Sequence, residues 1–551
     1  MPDSWIVFFF VIPLAGAFFA FIEKIRPTVK TARPAVILVF IVCLLLLLMS
    51  AKGIFRGETY EVFMGGWTEI VGISLYLDGL AWAGLLTMYI ICALITGFAV
   101  SAKHYDASFY FFFLILLSGM AGVLLAHDLF NLFVSLEIVG TAAYILISYS
   151  RKEKAVLASF KYLILSSLGM ALFLIGVFVV YMNTGTLCLG TLISHYSGTP
   201  SRSLEESLSI ACLVAGIGIR SAFVPFHAWL PDAHAYAPHP VSAILSGVAI
   251  KVPFLALWRL IVMLGIGDVR ILLLWTGVFT ALLGVLRALV QTDCKRLLAW
   301  SSVSQMGYIL AGFGAQNSLS VSGSLYHIFS HALFKSLLFL SVGSVMIHAG
   351  ERSIKKISGM AREMPLATLF FSVGALSIIG IPPLNGYVSK KMILDGLNGI
   401  PAAGWILWAV SAGTAASFLK LSSIFRGSKK TSEIASSSNL GKRGFSFGNL
   451  GMGGLALLCL ITGLFGPDLY RPIGILLFNQ PLDSIPVFWD LKTLLDSGMA
   501  VLTGFILYFL LMSRSGIRLQ EIVSRREIGF DWALILFLGG FLFYYGFIYL
   551  Y

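Results

Sequence analysis

The stretch IGIRSAFVPFHAWLPDAHAYAPHPVSAILSGVAIK, residues 217–251, decides the fold of this chain. It begins as an apolar helix and then meets Pro225 and Pro231, each of which removes a backbone donor and clashes with the preceding turn. It also carries Arg220 and Lys251 within sequence apolar enough to lie inside a membrane. A helix that breaks at membrane depth is tolerated only where its backbone lines a cavity or is buried in protein. The stretch therefore predicts a polytopic membrane protein with a polar interior site.

The composition agrees with this prediction. Of the 551 residues, 58% are hydrophobic and 12% are charged, and the mean hydropathy is +0.91. A soluble protein of this length would need more polar surface, so we expect lipid to be the main solvent. The six cysteines form no CxxC pair, and no disulfide framework, iron–sulfur site or zinc site is expected. The net charge of +12 does not indicate nucleic acid as a partner, because the basic residues cluster at helix ends.

Apolar runs of about 20 residues predict sixteen spanning helices in an all-α fold, with a lower bound of about fourteen. We place them at about 4–22, 34–51, 78–101, 108–126, 129–149, 158–182, 207–228, 240–264, 271–290, 297–314, 323–348, 366–396, 402–425, 449–466, 493–513 and 530–550. The N-terminus lacks a basic start and a clear cleavage site, so the first run is interpreted as a retained helix.

Lysine and arginine predict the orientation of these helices. One set of alternate loops holds 23 of these residues, whereas the opposite loops hold 6. The positive-inside rule then places the first set in the cytoplasm and both termini outside. We expect a multi-pass protein of the inner (plasma) membrane.

A second broken helix reads SIIGIPPLNGYVSKKMILDGL, residues 377–397, with Pro382 and Pro383 in mid-membrane. The two breaks lie five helices apart, which predicts two five-helix repeats of opposite orientation, an arrangement typical of transporters. Simple proline kinks are the alternative. The predicted units are an N-terminal three-helix segment, a first repeat, a second inverted repeat, a cytoplasmic linker and C-terminal helices, at 1–105, 106–265, 266–426, 427–446 and 447–551.

Eight ionisable residues lie inside or at the ends of predicted spans, namely Glu137, Arg220, Lys251, His327, His331, Lys335, Lys390 and Lys391. An ionised group in the bilayer interior costs roughly 2.5–3.5 kcal/mol, so such residues face the protein interior and commonly mark ion paths. Arg220 is the predicted partner of Glu137. Because arginine keeps its proton, Arg220 can act as a charge-switch partner but cannot carry a proton.

His327, His331 and Lys335 are spaced four apart, which places them on one helix face. Histidine passes protons through either ring nitrogen, and a buried lysine titrates readily. A single buried histidine would more often be a satisfied core residue, but three titratable groups in one stripe favour transport. A metal site is not expected, because the stripe has no Asp, Glu or Cys. The predicted proton path comprises Glu137, Lys251, His327, His331, Lys335 and Lys390.

Four further residues mark positions where protons could enter or leave this path. His227, Asp232 and His234 flank the first break, and His348 lies near the cytoplasmic end of its predicted helix. The first three could form a cytoplasmic mouth, whereas His348 could equally be a surface residue. Of the adjacent Lys390 and Lys391, we expect Lys390 to face inward.

Three segments resemble a known family: PFHAWLPDAHAYAPHPVSAILSGVAIK (225–251), QTDCKRLLAWSSVSQMGY (291–308) and HIFSHALFKSLLFLSVG (327–343). They resemble the antiporter-like subunits of respiratory complex I, the large subunits of multi-subunit sodium/proton antiporters, and energy-converting membrane-bound hydrogenases. The resemblance covers about residues 70–425 and implies fourteen core helices, two inverted five-helix repeats and a proton path along a central polar axis.

The resemblance also implies roles for single residues. Glu137 resembles the glutamate of the family's fifth helix, and Lys251 resembles the basic residue of the eighth. The stripe 327–335 resembles the relay of the eleventh helix, and Lys390 the charged group after the break of the twelfth. Arg220 departs from the family, which usually has lysine there. Either the path bypasses this position, or the first half is a charge switch.

Together these features predict a proton-translocating, antiporter-like subunit of a multi-subunit ion-pumping complex. The alternatives are a sodium/proton antiporter subunit proper and an energising membrane partner of an inorganic-carbon uptake system. The chain has no Gly-rich phosphate loop or flavin motif, so we expect no cofactor and no metal; a place in a redox-driven translocase stays open. The expected partners are other membrane subunits, protons, sodium ions and lipid, without nucleic acid.

Overall fold

The computed structural model describes residues 3–66, 72–102, 105–196, 203–264, 267–315, 317–427, 446–466, 488–513 and 529–550, together with a few isolated residues near the C-terminus. It is an all-α polytopic membrane fold, as predicted. The predicted linker 427–446 lies almost entirely outside the described residues.

The elements follow one another as a series of long helices with one short hairpin. In chain order they are α1 (Phe8–Ile25), α2 (Ala32–Ile54), β1 (Tyr60–Phe63), β2 (Ser74–Leu77), α3 (Gly79–Ala102), α4 (Ala107–Leu125), α5 (Leu129–Ser148), α6 (Glu153–Thr184), α7 (Leu189–Tyr196), α8 (Leu204–Ser221), α9 (Leu230–Tyr236), α10 (His239–Ile244), α11 (Val252–Leu264), α12 (Gly267–Val290), α13 (Cys294–Gly314), α14 (Ser318–Ala349), α15 (Met360–Glu363), α16 (Pro365–Ile379), α17 (Asn385–Gly396), α18 (Pro401–Leu421), α19 (Phe447–Leu464), α20 (Leu491–Met512) and α21 (Phe530–Leu550).

Each of the sixteen predicted spans contains helix in the structure. Within the described ranges, thirteen helical segments are long and apolar enough to cross a membrane by length and composition alone. The three predicted spans outside this set are α8, α13 and the broken pair α16–α17. The helix α8 carries two glutamates and an arginine, and α16 and α17 are each too short.

Three small elements, two strands and a short helix, were not predicted. The strands β1 and β2 pair antiparallel, with Tyr60 opposite Leu77, and α7 forms a short helix between α6 and α8. Strands of four residues offer too little alternation to separate them from a loop by pattern.

Both predicted helix breaks are present. The helix α8 ends at Ser221, Ala222 takes a left-handed conformation with φ 54°, and the chain re-enters helix at Leu230. The second break follows α16, where Gly380 has φ 93°, a conformation that glycine adopts without strain. A π-helical turn, Leu245–Ala249, was not predicted and interrupts the span between α10 and α11. The inverted relation of the two repeats stays a prediction.

Several contacts join residues near helix ends that the sequence predicts to lie on one face of the membrane. At one end the Tyr149 hydroxyl donates to Asp106, at 2.7 Å. Near that same predicted face, Lys154 and Arg352 both lie over the Tyr236 ring. At the opposite predicted face Arg259 pairs with Asp78 at 2.6 Å. The side of the membrane on which each loop lies stays a prediction.

The segment from α10 to α11 and the helix α14 form the centre of the bundle. Both are buried along nearly their whole length, in contrast to α20 and α21 at the periphery. The two central segments carry Lys251 and the 327–335 stripe. Their ionisable groups therefore lie in the protein interior and not against lipid.

Candidate functional site

The helix α14 carries a continuous titratable face. His327, His331 and Lys335 are all fully buried, and the ring centroids of the two histidines lie 6.0 Å apart. The spacing of four residues therefore places the three groups one above another, as a helical face requires. With Lys251 and Lys390, these residues are called the basic cluster below.

His327 is held by two polar side chains from neighbouring helices. Its Nδ1 lies 2.8 Å from Ser389 Oγ on α17, and its Nε2 lies 3.1 Å from Gln305 Oε1 on α13. The Ser389 hydroxyl also lies 3.1 Å from the Asn385 carbonyl. Because a hydroxyl rotates, it can donate to a neutral imidazole or, after protonation of His327, accept from it and donate to the carbonyl. Both charge states of His327 are thus accommodated.

His331 has no such partners. Within the described part of the chain, neither ring nitrogen has a hydrogen-bond partner, although the side chain is completely buried. Lys251, Lys335 and Lys390 all lie near enough to interact with it electrostatically. A buried polar group without a partner is costly, and such groups mark functional positions or sites of ordered water.

The three lysines of the basic cluster bind backbone carbonyls. Lys251 donates to the carbonyl of Ser246, which the π-helical turn presents to it. Lys335 donates to the Leu298 carbonyl at 2.9 Å and to Ser301 Oγ at 2.6 Å. Since a neutral amine keeps N–H donors, a lysine bound to a carbonyl can lose its proton without losing that contact.

Lys390 binds at the second helix break. Its Nζ donates to the carbonyl of Ile378 at 2.7 Å, and Nζ lies 5.1 Å from the centre of the Tyr308 ring. The break leaves this carbonyl without its helical partner, because residue 382 is a proline and has no N–H to donate. Lys391 points away and pairs with Asp395 at 2.8 Å. Lys390 is therefore the buried member of the two, as expected from the sequence.

Glu137 and Arg220 form a separate ion pair, called the ion-pair site below. Arg220 Nη2 donates to Glu137 Oε1 at 2.7 Å, so the predicted partners are together. The Arg220 side chain is 1% exposed, whereas that of Glu137 is 38% exposed on the outer face of α5. Gly140 makes room for the guanidinium, because a Cβ there would lie 2.0 Å from Nη1.

Aromatic rings separate the ion-pair site from the basic cluster. The Tyr162 hydroxyl lies 3.5 Å from Arg220 Nη1, and its ring stacks on Trp229 with centroids 3.7 Å apart. The Trp229 ring in turn lies 6.2 Å from that of His234. His234 is fully buried and lies within electrostatic range of Lys251. This differs from the predicted place at a cytoplasmic mouth, because α9 folds back into the protein.

The other expected points of proton entry or release are dispersed. Asp232 is partly exposed and binds Arg296 at 2.6 Å and Lys161 at 3.4 Å. His227 is buried, with its ring 5.5 Å from that of Trp300. His348 pairs with Glu363 at 2.7 Å. Asp232 is thus the most accessible of the four, and neither His227 nor His348 is a simple surface residue.

Sequence reasoning missed Gln305, Ser389 and Lys161. The first two are neutral and so were not among the ionisable residues predicted to form the path. Gln305 nevertheless lies in the polar run SSVSQ, and Ser389 directly precedes Lys390. Lys161 lies inside the predicted span 158–182, about two turns after α6 begins at Glu153, and was not among the charged residues singled out from the sequence. Among the residues described, no three His, Cys, Asp or Glu side chains group closely enough to hold a metal.

Comparison with known proteins shows the family to which this chain belongs. Residues 126–419, more than half of the chain, match the family described as NADH:quinone oxidoreductase/Mrp antiporter, TM. The chain belongs to the NADH:quinone oxidoreductase/Mrp antiporter family. It is 35% identical to NADH-quinone oxidoreductase subunit N of Desulforudis audaxviator in an alignment of 380 positions that covers 65% of this chain and 73% of that protein.

Other members of the family are similar in sequence or in fold. A Na(+)/H(+) antiporter subunit of Alkalihalophilus pseudofirmus is 31% identical over 64% of this chain and 72% of its own length. A chain of the Mrp complex from Dietzia sp. DQ12-45-1b superposes with a TM-score of 0.77, 25% identity and coverage of 91% of this chain and 99% of its own. A chain of an archaeal membrane-bound sulfane sulfur reductase shares the fold, with a TM-score of 0.78, 24% identity and coverage of 90% and 99%.

Proposed function

We propose that this chain is a proton-translocating, antiporter-like subunit of a multi-subunit ion-pumping complex, and that protons move through the basic cluster. The single observation that carries the proposal is the burial of three lysines and two histidines with no carboxylate among the groups that contact them in the described residues. A structural core would gain nothing from such an arrangement, because each unpaired charge raises the free energy of the folded state.

Repulsion limits how many of these groups are charged together. Two imidazolium ions at the 6.0 Å separation of His327 and His331 would repel by about 3 kcal/mol at an effective dielectric constant of 20. Such a penalty corresponds to about a hundredfold preference against double protonation. A proton arriving at one histidine therefore favours departure of a proton from the other, which is the requirement for a relay.

The ion-pair site has a different role in this proposal. Arg220 keeps its proton, so the path does not pass through its side chain. Movement of its guanidinium toward or away from Glu137 would change the field at the aromatic stack of Tyr162 and Trp229, and at His234 behind it. We therefore assign the ion-pair site to switching and the basic cluster to conduction.

Exposure of Glu137 supports assembly with another membrane subunit. Phe130, Val134 and Glu137 follow one another at helical spacing on α5 and are 38–45% exposed in residue or side-chain area. A carboxylate facing lipid would be costly, whereas a neighbouring subunit can present a donor to it. The relatives named above are subunits of complexes, which supports the same interpretation.

The charge of the basic cluster favours protons over sodium ions as the species that moves there. Sodium requires several oxygen ligands, and the ammonium groups of this cluster would repel it. One relative is named as a Na(+)/H(+) antiporter subunit, so sodium/proton exchange is the alternative for the complex as a whole. In that case the sodium path lies outside the basic cluster.

We further propose that the chain lies in the inner (plasma) membrane with both termini outside. The excess of basic residues in one set of loops supports this orientation. All six native cysteines are buried, so they should not react with a labelling reagent. A cysteine introduced in place of the exposed Lys152 or Arg56 would then account for any labelling. In intact cells, an impermeant maleimide should label Arg56→Cys and spare Lys152→Cys. Labelling of Lys152→Cys but not of Arg56→Cys would show that the protein has the orientation opposite to the one proposed.

Proton movement is tested by reconstitution of the purified complex. Proteoliposomes with an internal pH-sensitive dye should show a proton flux in wild type that falls to the level of empty vesicles in His331→Ala. Subunit content, measured by mass spectrometry, should not change. Wild-type flux in the variant would contradict conduction through the basic cluster, and sodium-dependent flux that persists in it would favour a separate exchange path.

A further inference from the structure

Two buried serine hydroxyls connect the surroundings of Lys251 with those of Lys335. Ser246 lies in the π-helical turn before Lys251, and Ser302 lies on α13. Their Oγ atoms are 2.8 Å apart, and both side chains are completely buried. We call this contact the serine pair. Neither serine belongs to the basic cluster, but each lies beside a backbone carbonyl to which one of its lysines donates.

On the α13 side, the serine pair shares an acceptor with Lys335. The Ser302 hydroxyl donates to the Leu298 carbonyl at 3.0 Å, and Lys335 Nζ donates to the same oxygen at 2.9 Å. The Ser301 hydroxyl lies 2.9 Å from that oxygen as well. In a regular helix the Leu298 carbonyl also accepts the backbone N–H four residues later. Because a carbonyl oxygen has only two lone pairs, these donors compete for it.

On the other side, the serine pair adjoins the acceptor of Lys251. Lys251 donates to the backbone carbonyl of Ser246 itself. This carbonyl is presented by the π-helical turn Leu245–Ala249, where the helix is locally widened. The hydroxyl and the carbonyl of Ser246 therefore contact two different elements, α13 and the lysine that follows the turn.

Competition for the Leu298 carbonyl gives the Ser302 hydroxyl two orientations. A hydroxyl has one O–H donor and can rotate. When Lys335 is an ammonium, its charge-assisted hydrogen bond takes the Leu298 carbonyl, and Ser302 donates to Ser246 instead. When Lys335 is a neutral amine, Ser302 donates to the Leu298 carbonyl and accepts from Ser246. The direction of the hydrogen bond within the serine pair thus follows the charge of Lys335.

We propose that Ser246 and Ser302 are positioning residues that couple the protonation of Lys335 to that of Lys251. This inference rests on the proposed function, because it assigns regulation to the same basic cluster. Reversal of the two hydroxyl dipoles changes the polarisation of the Ser246 peptide, whose carbonyl binds Lys251. Other titratable groups act on Lys335 through space and not through the serine pair, namely Lys251, His234, His331 and Lys390.

The coupling is tested with the purified complex in proteoliposomes, where proton flux is measured across a range of pH. Ser302→Ala should lower the flux about fivefold, the effect of one net hydrogen bond. It should also raise the pH of half-maximal flux, because the Leu298 carbonyl loses a competing donor and binds the ammonium form of Lys335 more strongly. Ser246→Ala should lower that pH, because Ser302 then has only the Leu298 carbonyl as an acceptor.

A double variant and a matched control accompany the two single variants. Ser246→Ala/Ser302→Ala should behave like Ser302→Ala alone, because Ser246 acts on Lys335 only through the Ser302 hydroxyl. Ser304→Ala is the control: that serine lies on the same helix, is 1% exposed and donates to the Ala281 carbonyl on α12 at 2.9 Å. Its flux and its pH profile should equal those of wild type.

Two outcomes would overturn the coupling. One is a pH profile that moves in the same direction in both single variants, or in neither, which would make the serine pair a packing contact. The other is an equal loss of flux in Ser302→Ala and Ser304→Ala. His331→Ala, measured alongside, separates this inference from the proposed function. Normal flux in His331→Ala would contradict conduction through the basic cluster, whereas loss of flux there with a wild-type Ser302→Ala would contradict the coupling alone.

Discussion

The ion-pair site and the basic cluster stabilise buried charge in opposite ways. At the ion-pair site, an arginine that cannot release its proton donates to a carboxylate at 2.7 Å. In the basic cluster, lysines that can release a proton donate to backbone carbonyls, as Lys390 does to Ile378. A salt bridge fixes one charge state, because neutralising either partner removes the attraction. A carbonyl accepts from either form of the amine.

This difference fits the two proposed roles, in which the ion-pair site keeps a fixed charge and the basic cluster passes protons. The carbonyls that bind Lys251 and Lys390 come from the π-helical turn and the second break, where regular helix is interrupted. Irregular backbone thus supplies neutral acceptors at two positions where the proposed function requires a change of protonation. The ion-pair site instead receives a counter-charge from α5. The predictions below test whether the two sites differ in this way.

The largest expected effect is loss of conduction in the basic cluster. Lys390→Ala and His331→Ala should each reduce proton flux in proteoliposomes to background, because each removes a group that is proposed to take up and release a proton. The complex should still assemble, since neither change breaks a salt bridge. Lys391→Ala is the matched control: its side chain pairs with Asp395 outside the basic cluster, so flux should stay near wild type. A similar loss of proton flux in Lys391→Ala and Lys390→Ala would contradict a specific role for the basic cluster in conduction.

Proton flux should depend on a positive charge at the ion-pair site and not on release of a proton there. Arg220→Lys should retain most of the flux, whereas Arg220→Ala should lose it. Removing one partner of a fully buried pair costs about 3–5 kcal/mol in the free energy of unfolding. We expect about 2–3 kcal/mol for Arg220→Ala, because the Glu137 side chain that stays behind is 38% exposed.

Flux and thermal unfolding, measured on the same preparations, check this prediction. An Arg220→Ala complex that transports normally would exclude the ion-pair site from the mechanism. A strong loss in Arg220→Lys would instead show that the guanidinium geometry matters beyond its charge.

The helices and the main charged residues could be predicted from sequence because both leave strong signals. Apolar runs of about 20 residues gave the spans, and lysine or histidine inside such runs is rare enough to be conspicuous. The prolines at 225, 231, 382 and 383 marked both breaks because proline cannot continue the hydrogen-bond ladder of a helix. The pair Glu137–Arg220 was expected because the two residues carry opposite charges inside predicted spans, the fifth and the seventh.

What could not be predicted depends on tertiary geometry. The π-helical turn before Lys251 has no proline or distinctive sequence, since the extra residue is absorbed by packing. The place of His234 depends on how α9 folds back, which the spacing of residues does not specify. Neutral partners such as Ser389 and Gln305 matter only through distances of about 3 Å to a histidine on another helix.

A smaller effect tests how tightly the ion-pair site is packed. Gly140→Ala would place a Cβ 2.0 Å from Arg220 Nη1 and should move the guanidinium away from Glu137. Overpacking of this kind costs about 1–3 kcal/mol. Gly404→Ala is the control, because a Cβ at that helical position meets nothing within 4 Å. In the Arg220→Lys background the cost of Gly140→Ala should shrink, since a lysine has no second terminal nitrogen. Strictly additive unfolding free energies would contradict direct contact.

The smallest expected effect tests the rotating hydroxyl beside His327. Ser389→Ala removes a partner at 2.8 Å from Nδ1 but leaves Gln305 in place at Nε2. One net hydrogen bond is worth about 0.5–1.5 kcal/mol, so proton flux should fall about three- to tenfold without loss of assembly. Ser389→Thr keeps the hydroxyl and should restore most of the flux, whereas a purely steric role would predict that threonine does worse than alanine. Because the hydroxyl serves both charge states of the imidazole, the alanine variant should also shift the pH at which flux is half-maximal, and the threonine variant should not. A fall in flux with an unmoved pH profile in both variants would assign Ser389 to packing and leave His327 without a positioning partner on α17.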